Sequence, residues 1–163
     1  MTDWLRRAGR GRIDRDSTVV WSVAEGSHGR RWRWEVTEPE GLAVAGLAER
    51  LPSGAFGRLE LTISGGLLTF HPDQAGTSAH GNIVAADGVR PIAVGWSDEW
   101  AVGIKGDPFG SAVCGWSGIG FVVNHLDGLV WREPGTHEDV AALACDVRGI
   151  PILDDAQEWP LEE

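Results

Sequence analysis

The chain has no tyrosine, a single lysine (Lys105), a single methionine and two cysteines. Nor does any apolar run approach the roughly 18 residues of a membrane-spanning helix, so no membrane span is expected. Two cysteines, Cys114 and Cys145, cannot build the disulfide framework of a small secreted scaffold. They read as buried free thiols of a reducing compartment, and a bacterial cytoplasm is the expected location. Arg6-Arg7 is followed by no apolar stretch and does not form a twin-arginine export signal.

Signatures of common chemistries are missing as well. There is no G-x-S-x-G; the nearest echo, Gly115-Trp116-Ser117-Gly118, is one residue short of a nucleophile elbow. The glycine-dense segment 106–120 lacks both the Lys-Ser/Thr of a phosphate-binding loop and dinucleotide-fingerprint spacing, so it reads as a flexible connection. Adjacent carboxylates occur at Asp98-Glu99, Glu138-Asp139 and Asp154-Asp155. Neighbours on a strand point to opposite faces, so these do not make an acid–base couple. No cofactor is called for.

What is present is an ordinary globular balance, 42% apolar and 23% charged residues over 163 positions, which fits one domain. Glycine (23) and tryptophan (9) are abundant. The formal charge is −10 and uneven: eight arginines against four acids give residues 1–33 a charge of +4, leaving −14 on the remainder. So acidic a body repels phosphate backbones, and nucleic acid is not an expected partner. The Arg-Arg-Trp-Arg-Trp run (30–34) agrees, because a period of two separates its arginines from Trp32 and Trp34 on opposite faces.

Period-two alternation and tight turns dominate from Ser17 onward. Val19, Trp21 and Val23, then Trp32, Trp34 and Val36, predict a first hairpin across the intervening turn residues. Gly65-Gly66, Asp87-Gly88 and Asp127-Gly128 mark three more. Two helices are expected, over 41–54 and 136–149, the second capped by Thr136 with Val140, Leu143, Ala144 and Val147 as its buried stripe. A last strand is expected over 150–153. The fold class is therefore mainly β: an antiparallel, hairpin-rich barrel or two-layer sandwich with one or two short helices. Residues 1–16 read as an Arg/Gly-rich arm, 17–153 as one β-rich domain, and 154–163 as an acidic tail.

Candidate sites follow from residue chemistry. His71 with Asp73, and His80, bracket a polar loop, and together with Cys114 they are the candidates for an enzyme site; with His125 the two histidines would make a three-histidine metal centre, and Cys114 beside His125 would make a thiol–imidazole pair. Ordinary loop histidines are the simpler reading, and no metal site is assigned. Trp32, Trp34, Trp96, Trp100 and Trp131 would line a cavity or a contact face if they do not simply fill the core. Residues 57–104, with the Asp87-Gly88 turn and the Asp98-Glu99-Trp100 segment, resemble a strand set of glycolipid-binding β proteins. The Thr-Pro-Phe-Thr-Asn run of that family is absent, and the resemblance assigns no family.

The expectation is a non-catalytic binding protein taking either a small apolar ligand inside a barrel or a protein partner on one face. A small hydrolase or metal-dependent enzyme near His71 and His80 is the first alternative. An acidic, immunity-type inhibitor of a basic protein, resting on charge alone, is the second.

Overall fold

The computed structural model describes residues 5–63, 65–124, 130–136 and 139–160. Eight strands follow one another as a meander: β1 (Arg6–Arg12), β2 (Thr18–Gly26), β3 (Gly29–Glu38), β4 (Gly41–Arg50), β5 (Phe56–Ile63), β6 (Gly66–Pro72), β7 (Ser78–Ala85) and β8 (Gly88–Gly95). Then come β9 (Ala101–Ile104), α1 (Pro108–Val113), β10 (Ile119–Asn124), β11 (Val130–Thr136) and β12 (Asp154–Pro160). The large sheet has nine strands in the order β12-β1-β2-β3-β4-β5-β6-β7-β8, and the small one runs β11-β10-β9. β8 and β12 do not pair with each other, so the barrel alternative is corrected to an open sheet. The mainly β, sandwich-like reading holds.

Register explains which residues form the core. Trp21 pairs with Trp34, Val23 with Trp32 and Val19 with Val36, so all six share the inner face. Val44 and Ala48, Leu59 and Leu61, and Leu68 and Phe70 continue that face across β4, β5 and β6. The second layer is α1 with β9 and β10. Phe109 of α1 meets Trp32 edge-on at 6.4 Å and Trp34 at 6.2 Å. Phe121 of β10 meets Phe70 at 5.9 Å and stacks on Trp96 at 6.1 Å. Aromatic pairs at such spacings add about 0.5–1.5 kcal/mol each beyond the area they bury.

α1 is pinned from both layers. Asp107 is buried at its N-cap, with Oδ1 accepting from Gly110 N at 2.9 Å and Oδ2 accepting from the Trp34 indole N–H at 2.9 Å. Ser111 Oγ accepts from Ile104 N and donates to Ile104 O on β9. Arg50 of β4 donates to the carbonyls of Ala112 and Val113 at the other end. The segment expected as a flexible connection is thus partly a fixed helix.

Both expected helices are corrected. Residues 41–50 form β4, because inward positions opposite bulky indoles must be small: Gly46 pairs with Trp34 and Ala48 with Trp32. A Cβ on Gly46 would run into the Trp34 ring. Alanine and glycine content that reads as helix is space for tryptophan. Residues 139–149 are irregular. Asp146 Oδ1 accepts from Arg148 N and Ile150 N, and Gly149 takes φ +80°, so local turn chemistry overrides helix propensity. Thr136 ends β11 rather than capping a helix, Val147 is fully exposed, and Cys145 is exposed rather than core. Of residues 150–153, Pro151 makes an isolated bridge to Cys145.

The supposed arm and tail meet as neighbouring strands. β1 lies between β2 and β12, with Ala8 paired to both Ser22 and Trp159. Gly9 is needed beneath Trp21, where a Cβ would fall 2.6 Å from the indole, and Gly11 fits against Leu153. Arg12 pairs with Asp155 at 2.8 Å and Arg7 with Glu158 at 3.4 Å. The local charge imbalance of the sequence is partly the complementarity of these strands.

Candidate functional site

Outward positions of the large sheet form rows fixed by the same register. One runs Ala45, Thr62, Leu67, Val84 and Val89 across β4 to β8. Beside it lie Val20 and Glu35 on β2 and β3. The next row runs Trp159, Ala8, Ser22, Arg33, Leu47 and Glu60. Between them the sheet holds a groove of about 510 Å³. Val20 is 51%, Leu67 39% and Trp159 42% exposed, so apolar surface that could have been buried faces solvent along it.

The groove is not uniformly apolar. Arg33 and Glu35 stand on its β3 wall, and neither makes an ion pair among the described residues. Glu60 is paired with Arg58. The arginine–tryptophan run is thereby resolved: Arg31 and Arg33 are exposed on this face, while Trp32 and Trp34 are buried on the other.

A second feature sits at the far end of the same face. His71 on β6 lies directly opposite His80 on β7. Asp73 N donates to Ser78 O at 2.8 Å, closing the turn that joins the two strands. His80 Nδ1 lies 2.9 Å from Asp73 Oδ1, and Ser78 Oγ donates to Asp73 Oδ2. The Ser78 hydroxyl first, then the His80 imidazole, hold the Asp73 carboxyl below the ordinary carboxylate range. His71 Nδ1 lies 3.3 Å from Pro72 O.

Three of the four catalytic candidates are thus brought together, and the fourth is not. Cys114 caps the C-terminus of α1 in the core, between the sheets, whereas both histidines face solvent. Burial, and next the Asp107 carboxylate, push the Cys114 thiol far above its ordinary value, so it is held as a thiol rather than a nucleophilic thiolate. Serine contacts the carboxylate and not the imidazole, which is the wrong order for a serine nucleophile activated by histidine. Among the described residues no three His, Cys, Asp or Glu side chains are grouped to hold a metal, and His125 lies outside them.

No known protein family, curated protein or solved structure matches the chain.

The tryptophan candidates divide differently from expectation. Trp32, Trp34 and Trp96 are buried in the core cluster, and Trp100 packs against Trp96 and Phe121 at 6.1 Å each. They fill space between the layers. Trp131 pairs with Val123 in the small sheet, and its side chain lies outside the described residues. The exposed indole on the groove is Trp159, in the segment read as a tail. Its only sequence signal was an aromatic isolated among acids. No helix among the described residues is long and apolar enough to cross a membrane.

Proposed function

We propose that this chain is a non-catalytic binding protein that receives an amphipathic polypeptide segment of a protein partner in the outer groove of the large sheet. The carrying observation is the composition of that groove: exposed Val20, Leu67 and Trp159 beside Arg33 and Glu35, two opposite charges with no ion-pair partner among the described residues. A purely apolar small molecule would desolvate both charges with no compensation, which costs several kcal/mol per ion. A peptide bearing apolar side chains flanked by one acid and one base satisfies both. The inner face is already filled by Trp32, Trp34 and Phe70, with Phe121 of β10 packed against it.

Selection of displayed peptides on the intact protein tests this reading. Winners are expected to be amphipathic, with an acid and a base beside apolar residues. Leu67→Arg is expected to abolish their binding, and Arg33→Glu to weaken it about tenfold or more, the scale of a lost charge contact in an interface. Winners that bind both variants as they bind the original chain would contradict it.

A further inference from the structure

Apart from the groove, one pair of side chains has the geometry of ligands. His71 and His80 are direct cross-strand partners on the solvent-facing side of the β6–β7 hairpin. Directly opposed residues have Cβ atoms about 4.5–5.5 Å apart, close enough for both imidazoles to reach one ion. The hydrogen bonds decide which nitrogens are presented. His80 Nδ1 is turned to Asp73 Oδ1 at 2.9 Å and His71 Nδ1 to the Pro72 carbonyl at 3.3 Å. Since both partners are acceptors, each Nδ1 must carry the proton. With the proton on Nδ1, the nitrogen left to bind an ion is Nε2. A histidine whose inner nitrogen donates to a carboxylate or carbonyl while the outer one stays basic is the usual arrangement of a metal ligand and its supporting group.

Asp73 is itself fixed, accepting from Ser78 Oγ as well as from His80. The hairpin turn therefore supplies both the histidines and their support. His80 retains 52% of its side-chain exposure, so an ion can reach it from solvent. We infer that His71 and His80 chelate one transition-metal dication of the copper, nickel or zinc class through their Nε2 atoms. Imidazole nitrogen suits those ions and not calcium or magnesium. Water completes the coordination, because the residues around the pair supply no third ligand group among the described residues. This inference does not rest on the groove reading.

Titration of the intact, metal-free protein with NiCl2 by calorimetry, and with CuCl2 by electron paramagnetic resonance, provides the test. One ion per chain and a copper signal showing two imidazole nitrogens are expected. His71→Ala and His80→Ala should each weaken nickel binding tenfold or more and remove one nitrogen from the spectrum. Asp73 is a positioning residue: Asp73→Asn should weaken binding, by about 10-fold as for other supporting groups, while leaving two nitrogens on copper. Both histidines are exposed, and His71→Gln and His80→Gln serve as second variants if either alanine form unfolds. Absence of binding, binding unchanged in the single variants, or loss that instead follows His28→Ala, at the exposed histidine of the β2–β3 turn, would overturn the proposal.

Discussion

Individual residues carry the least expected burdens where size or charge is matched across the fold. Gly46 exists to admit the Trp34 ring, and its backbone packs against that ring with no slack. Gly46→Ala is expected to destabilise the chain by about 1–3 kcal/mol through overpacking, read as a lower urea midpoint at unchanged m-value. Asp107 serves two donors at once. Its replacement by alanine removes a helix cap, about 1 kcal/mol, and strands a buried indole N–H, a further 1–3 kcal/mol. Cys114 and Cys145 differ in access. A thiol reagent applied to the native protein should modify one sulfur, and Cys145→Ser should remove that reaction. If Cys114 reacts at a similar rate in the folded state, the packing described for α1 is wrong.

Elements show where sequence reasoning succeeds and where it stops. The hairpins were legible because turn chemistry and alternation are local: β2–β3, β5–β6 and β7–β8 lie where glycine and alternating apolar residues put them. β4 was not legible, since its small residues answer to Trp32 and Trp34 on another strand. β1 and β12 were not either, because a strand of arginine and glycine and a strand of acids make sense only as partners about 150 positions apart. The same gap hid Trp159. The histidine cluster was partly legible: the hairpin brings His71, Asp73 and His80 together, whereas nothing local could place Cys114 in the core. The β1–β12 pairing is itself testable. Ending the chain at Leu153 should leave the meander from β2 to β8 folded while the β1 amides that face β12 lose hydrogen-exchange protection. Protection of those amides unchanged by that truncation would contradict the pairing. Its exposed ion pairs contribute little, each below about 1 kcal/mol, so backbone ladder and Trp159 contacts are expected to dominate the loss.

At the scale of the whole molecule, one sheet serves two purposes. Its inner face packs Trp21, Trp32, Trp34, Phe56 and Phe70 against a second layer, and its outer face keeps an apolar row, a histidine pair and two charges, Arg33 and Glu35, that make no ion pair among the described residues. Four residue steps along β6 separate Leu67 in the groove from His71, about 13 Å at strand rise, so the two features are neighbours without overlapping. Binding of a polypeptide at the groove and of a dication at the hairpin are accordingly expected to be separable by mutation. The most direct test of the central claim is a methyl-resolved NMR footprint of a selected amphipathic peptide on the intact protein. The account predicts shifts at Val20, Leu47 and Leu67 and at the Trp159 indole, with the inner-face methyls of Val44, Leu59 and Leu68 unmoved. Shifts concentrated on those inner residues, with the groove silent, would contradict it.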